Sequence, residues 1–443
     1  MRLVIVLMCV LHTRKDIGSA QKVGHQELVH EWTSVTFDWP SEGAEQEARR
    51  DGSYVPERNL IAGIEVYKGD IYLSIPRWRW TSGQPATLVK VVNVGGVAKL
   101  RPYPDWASQR QGDCRALQFV LGVKVDPSTG LLYVLDTGRV GLAGNVSSRP
   151  LNLCQPKIVV FDLNRGTKVK DYLLPQGVAD RTSSFLDDLV LDRVDGKVRY
   201  AYMSDILLNR IAVFDFQTET GHYIQDPSME PEVGGADKIR INGKDYSFAM
   251  GIDGIAISPD CRFVYYSPLA GFGLYQIPTS TLRSAQKPEN TGIRRVGRRI
   301  TQSGGIAMGS KHLYYTALGL SGVYRWDAQT DMRTQQRGID TVHMSKQDRV
   351  VSSDVTMQWP DGLAIDSDGW LWFVSNRLHL FMTDQMDFSG QDGTNMRVWK
   401  VYINDTWGRA NAASALATPG PACLVASTYF VLQLSRLINL VAH

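Results

Sequence analysis

The sequence predicts an all-β chain, a six-bladed β-propeller closed by an N-terminal strand. Three observations carry this reading. A hairpin of two apolar strands bounded by Asp/Gly turn chemistry recurs six times. A further strand ending in a turn follows most of these hairpins. One strand near the N-terminus belongs to no hairpin and is left to complete the last unit, which closes the ring without a free edge. Small antiparallel units repeated at this spacing are the pattern of a propeller.

The hairpin is clearest at residues 359–376, WPDGLAIDSDGWLWFVSN. Asp361-Gly362 opens a strand carrying Leu363 and Ile365, Asp366-Ser367-Asp368-Gly369 turns it, and Leu371 to Val374 runs back to Ser375-Asn376. In order along the chain, AGIEV precedes IYL at 62–73, LGVKV precedes LYV at 121–134, and DDLVL precedes YAYM at 187–203. DGIAI precedes FVYY at 253–266, and GGIAM precedes LYY at 304–315. The aligned second residues are 63, 122, 188, 254, 305 and 362, a period of 51 to 66 residues. Third strands read as KIVVFDL (157–163), RIAVFDF (210–216), GLYQIP (273–278) and GVYRWD (322–327). The leftover strand is WTSVTF at 32–37, expected to pair with the last unit around 396–402.

At 443 residues the chain is long enough for two or three domains, but the even repeat argues for one ring over 21–403. A net charge of +3 leaves no case for nucleic-acid binding. The pairs Arg294-Arg295 and Arg298-Arg299 read as a solvated loop between blades. Residues 1–20 read as a signal peptide: one arginine, the apolar run 3–11, then small residues Gly18-Ser19-Ala20. An oxidising compartment follows, and favours pairing of Cys114 with Cys154, which flank the second hairpin. Cys9 leaves with the signal, Cys261 has no evident partner, and Cys423 lies in the tail. Asn145 and Asn404 head glycosylation sequons. The tail, 404–443, has two readings. Small residues, a Pro/Gly spacer and an apolar end resemble a GPI-attachment signal, which would make the chain membrane-anchored. Phe430, Leu434, Leu437, Ile438 and Val441 instead fall on one face of an amphipathic helix.

Repeat position also nominates a site. The residue before the first strand of a blade and the residue after the second lie at the same end of the channel. This gathers Asp187, Asp253 and Asp361 with Asp136, Asp205 and Asn376 at one mouth. Carboxylates crowded in one concavity raise one another's pKa unless a cation compensates. The expected ligand is therefore a protonated amine or a metal ion. Trp359, Trp78, Tyr266 and Phe272 are the aromatics placed near that end to hold a flat ring. His379, just beyond a strand end at the mouth, is the candidate proton-transfer group if the site is catalytic.

The stretches GSYVPERN, GIEVYKGDIYLSIPRW, LYVLDTGR, PKIVVFDL, ISPDCRFVYYSPLAG, LYQIPTSTLR and LWFVSNRL, in this order, resemble the Yellow / major royal jelly protein family of arthropods over roughly residues 32–403. The resemblance implies a secreted six-bladed propeller. It allows several activities: binding of biogenic amines, dopachrome conversion, a part in cuticle pigmentation, or service as a food protein. A second similarity is to calcium-dependent lactonase propellers, whose channel motifs Asp253-Gly254 and Trp359-Pro360-Asp361-Gly362 resemble; it implies a calcium ion in the channel as cofactor, with Asp253 and Asp361 as its ligands. Ala62-Gly63 stands where that superfamily has an early glutamate ligand.

Overall fold

The computed structural model describes residues 22–79, 82–142, 151–285 and 291–407. The signal-peptide reading, the sequon at Asn145, Cys9, and the tail from residue 408 with Cys423 lie outside the described residues. Six four-stranded antiparallel sheets form the six blades of a propeller. Blade one is Ile64–Tyr67, Asp70–Ser74, Leu88–Val94 and Val97–Pro102. Blade two is Val120–Asp126, Leu131–Asp136, Lys157–Asp162 and Thr167–Leu173. Blade three is Leu186–Val194, Lys197–Asp205, Arg210–Asp215 and Thr220–Gln225. Blade four is Ile252–Ile257, Phe263–Pro268, Gly273–Pro278 and Arg294–Arg298. Blade five is Ile306–Met308, Leu313–Ala317, Gly322–Trp326 and Gln347–Ser352.

Blade six takes three strands from the C-terminal end, Trp359–Ile365, Trp370–Asn376 and Met396–Tyr402, and its outer strand from the N-terminus. That closing strand is Gln26–Trp32, antiparallel to Met396–Tyr402 with Trp32 opposite Met396. The expected strand at 32–37 is thus corrected by one strand length. Gln26–Trp32 carries polar and apolar residues in a pattern that pairs on one side and meets water on the other, whereas Phe37 makes a parallel bridge to Leu100 on the outer strand of blade one. The N-terminal segment therefore ties blade six to blade one. Trp32 Nε1 reinforces the tie by donating to Ala98 O at 3.1 Å.

Burial follows strand position within a blade. The third strand Lys157–Asp162 is buried at every residue, while the outer strand Thr167–Leu173 is largely exposed and carries Lys168 and Lys170. Charges on an outer edge discourage pairing with other chains. The arginine pairs near residue 296 lie on an outer strand rather than in a loop: Arg294–Arg298 closes blade four, and Arg299 is fully buried behind it. Cys114 and Cys154 form a disulfide with Cα atoms 5.4 Å apart, joining the segments that lead into the first and third strands of blade two. Cys261 is a free thiol.

Candidate functional site

The first strands of the blades meet around the axis at unusually short range. A Cβ added at Gly63 would stand 2.6 Å from Leu121 O, at Gly122 2.8 Å from Asp187 O, and at Gly254 2.5 Å from Gly304 O. The same holds at Gly305 against Asp361 O (2.8 Å) and at Gly362 against Ala62 O (2.9 Å). Only glycine lets neighbouring backbones approach this closely. Blade three breaks the pattern with Asp188, which the repeat alignment had placed among these glycines without assigning it a role.

At the same level the first strand is irregular. The register slips between Val120 and Val123, Leu186 and Leu189, Ile252 and Ile255, and Pro360 and Leu363. A bulge there re-aims the side chains it contains. In blades three, four and six those residues include Asp187, Asp253 and Asp361, and all three line one cavity of about 100 Å³. Gly304 of blade five leaves the space between them open, since a Cβ there would find nothing nearer than Asp253 Oδ2 and Leu269 Cδ1 at 4.0 Å. Trp78, Phe248 and Trp359 form the aromatic wall.

Burial dominates the electrostatics. It pushes the Asp361 carboxyl up to about 7, against the pull of a hydrogen bond from Asn376, with the charges of Asp187 and Asp188 adding to the rise. It pushes Asp187 up to about 7 as well. Asp253 lies well above the usual carboxylate range, first through burial and then through the charge of Asp187, to which it is hydrogen-bonded. Two buried carboxyls joined by a hydrogen bond share a proton. The cavity therefore holds acid and carboxylate side by side near neutral pH.

Asn376 does not line the cavity but is buried against one of its acids, donating to Asp361 Oδ2 at 2.8 Å and to Ile61 O at 2.9 Å. Asp136 and Asp205 do not reach the cavity, which corrects their expected place. Asp136 is fully buried and accepts from the backbone N–H groups of Gln118 and Phe119 (2.9 Å each) and of Gly138 (3.0 Å). Asp205 accepts from Phe185 N–H at 2.9 Å and from Arg210 Nε at 3.0 Å. Both hold the chain entering the first strand of their own blade. Tyr266 and Phe272 are also elsewhere: Tyr266 is hydrogen-bonded to Ser228 at 2.7 Å, and Phe272 lies under Arg298.

His379 is not a mouth-facing base. It is buried behind Trp359, with ring centroids 6.1 Å apart and planes 17° from parallel, and Tyr246 meets it edge-on at 4.8 Å. Burial and the charge of Arg377 push its pKa down to about 4, and its Nδ1 has no hydrogen-bond partner. It is a neutral ring near pH 7 that backs the aromatic wall.

Sequence reasoning missed part of the site. Phe248 and Met250 come from the irregular segment after a two-stranded hairpin, Lys238–Ile241 with Lys244–Ser247, inserted between blades three and four. With Leu378 and Met382 they roof the cavity. The floor is charged: Lys124 Nζ lies 2.6 Å from Glu65 Oε1 and near Asp188, whose carboxylate accepts from the N–H groups of Leu189 and Ile255. No group of three or more His, Cys, Asp or Glu side chains arranged to hold a metal ion occurs among the described residues. Asn404 is exposed just past the last strand, and Asp405 is buried against blade five, accepting from Ser310 N–H at 2.8 Å.

Fold and cavity define a six-bladed propeller with a half-buried, polyacidic pocket on its axis. The model of the family "Major royal jelly protein" matches residues 119–409, and the chain belongs to that family. It is 28% identical over 398 residues to Protein yellow of Drosophila melanogaster, covering 84% of this chain and 68% of the relative. To Protein yellow of Drosophila pseudoobscura pseudoobscura it is 26% identical over 423 residues, covering 88% and 71%. Among solved structures, a functionally unknown protein from Desulfotomaculum acetoxidans aligns with a TM-score of 0.38 at 11% identity, covering 72% of this chain and 80% of the other.

Proposed function

We propose that the chain is an extracellular binding protein for a small cationic aromatic molecule, a biogenic amine or catechol derivative, held in the acid cavity. The observation that supports this best is the convergence of Asp187, Asp253 and Asp361 from three blades beneath Trp78, Phe248 and Trp359. A protonated amine supplies the positive charge that these buried carboxylates lack, and an indole or catechol ring packs on the aromatic wall. The cavity of about 100 Å³ takes an ammonium head. Ligand pockets usually span roughly 300–1,000 Å³, so the ring enters by displacing the roof side chains Met250, Leu378 and Met382. Secretion is supported by the Cys114–Cys154 disulfide. No helix among the described residues is long and apolar enough to cross a membrane. The test is calorimetric titration with dopamine and serotonin: wild type binds at one site, and Asp361→Asn binds at least tenfold more weakly, by about 1.4 kcal/mol. Equal affinity in the two proteins sinks the proposal.

A second reading, dopachrome isomerisation, has one observation in its favour. Tautomerisation removes a proton from carbon and returns one elsewhere, which suits a base and an acid with pKa near neutrality. Asp187 and Asp361, both pushed to about 7, meet that need better than His379. If this reading is right, Asp361→Asn slows dopachrome decay while substrate still binds, and His379→Phe leaves the rate unchanged.

A further inference from the structure

The central channel is not one continuous space. Below the acid cavity, Glu65, Lys124 and Asp188 form a charged plug, and Lys124 borders both sides of it. Beyond the plug the channel opens again toward the opposite end of the ring, into a second and larger cavity of about 380 Å³. Its wall has a regularity that the repeat explains. The residues three positions after the aligned inner-strand residue are Val66, Val125, Leu191, Ile257, Met308 and Ile365, one from each blade, and all six line this cavity. They form an unbroken aliphatic collar. Trp370, Trp372 and Trp407 add indole surface at the rim.

Most of the charged groups around this collar have a partner of their own. Lys124 is paired with Glu65 at 2.6 Å. Lys400 is paired with Glu27 at 2.8 Å and lies over the Trp370 ring at 4.2 Å. Asp366 accepts from Trp372 Nε1 at 2.7 Å and from the N–H groups of Asp368 and Trp370 at 2.9 Å. Lys68 donates to Asn164 Oδ1 at 2.8 Å, and Asp368 is exposed on the outermost turn. The six collar side chains carry no charge, so an ionic ligand drawn among them would lose hydration without compensation. An uncharged hydrocarbon or aromatic body gains roughly 25 cal/mol for each Å² it removes from water. The volume lies in the usual range for pockets that hold a small organic molecule, roughly 300–1,000 Å³.

We infer that this lower cavity is a second binding site, for a neutral and predominantly apolar small molecule, separate from the acid cavity and opening at the other end of the propeller. The probe is N-phenyl-1-naphthylamine, which is uncharged near neutral pH and fluoresces in apolar surroundings. Titrated into the full chain, it shows saturable binding with one site, with energy transfer from tryptophan. Ala307→Trp, which fills the cavity, removes that signal, and Ile365→Asn, which places an amide in the collar, weakens it at least tenfold. Circular dichroism and melting temperature verify that each variant is folded; Ile365→Asn carries the test if Ala307→Trp does not fold. Asp361→Asn, in the other cavity, leaves probe binding unchanged, so failure of the acid-site proposal and failure of this one are told apart. Absence of a saturable signal in wild type overturns the inference, as does unchanged binding in Ile365→Asn. Equal or tighter binding of the anionic probe 1-anilinonaphthalene-8-sulfonate at the same site overturns its assignment to neutral ligands.

Discussion

Asn376 Nδ2 donates to Asp361 Oδ2 at 2.8 Å, and the same amide also donates to Ile61 O at 2.9 Å. One side chain thus holds an acid of the cavity in place and joins blade six to the chain entering blade one. Asn376→Ala leaves a buried carbonyl without its partner, at a cost of about 1–3 kcal/mol. It also removes the hydrogen bond that lowers the Asp361 pKa, so that pKa rises further. The expected outcome is a lower melting temperature together with loss of amine affinity at a higher pH than in wild type. A variant that melts normally and keeps the wild-type pH profile would show that this bond matters to neither.

Stability should depend on pH in two opposed ways. Asp187 and Asp361 have folded pKa values of about 7, and Asp253 is raised too. Between about pH 4 and 7 the folded chain keeps protons that the unfolded chain has released, so these groups make stability fall as pH rises through that window. His379 acts in the other direction. Its folded pKa is about 4, so stability is lost as pH falls from about 6.5 toward 4, where the unfolded chain takes up the proton first. Asp253→Asn keeps a donor toward Asp187 and removes a buried acid. It should raise the melting temperature at pH 8 while abolishing amine binding. His379→Phe should flatten the acid limb alone. Scanning calorimetry from pH 4 to 9 checks both, and a lower melting temperature for Asp253→Asn at pH 8 contradicts the electrostatic picture.

The closing strand should be essential to the ring. Trp32 is buried, pairs opposite Met396 and donates its indole N–H to Ala98 O. Trp32→Ala should cost about 3–5 kcal/mol, as for other large buried aromatics, and denaturant melting measures it. A cost near zero would mean that closure does not depend on this residue.

The Cys114–Cys154 disulfide spans 40 residues of sequence and sits beside Lys157, whose ammonium donates to Cys114 O at 2.7 Å and Ala116 O at 2.8 Å. Cys114→Ser should lower stability by about 2–4 kcal/mol without altering amine binding, since the acid cavity lies on other elements. Melting curves and titration of the same variant decide this.

The fold was legible because every blade repeats one hairpin, so alternation and turn chemistry reinforced each other six times. The closing strand was misplaced because Gln26–Trp32 is mostly polar and pairs on one edge only, whereas Phe37 looks like a core residue and is one, but in another contact. In the site, repeat position led to Asp187, Asp253 and Asp361, and to Asn376 bonded to Asp361 outside the lining; Trp359 and Trp78 were among the aromatics expected near that end. It failed for Asp136 and Asp205 because they end second strands, whereas the three cavity acids lie in bulges of first strands. Those two turn back onto backbone N–H groups, while bulges aim the other three inward. Asp188 and the Glu65–Lys124 pair were open to discovery as departures from the glycine and apolar pattern of the aligned strands. Phe248 and Met250 were not, since they follow an insertion that has no counterpart in other blades.

The central claim is that a cation replaces protons held by Asp187, Asp253 and Asp361. The most direct measurement is calorimetric titration of serotonin into the full chain at several pH values, each in two buffers of different ionisation enthalpy. Binding should release protons near pH 6.5, and affinity should fall as pH drops through about 7, where Asp187 and Asp361 become neutral. Affinity independent of pH between 5 and 8, or binding with no proton release, would contradict it.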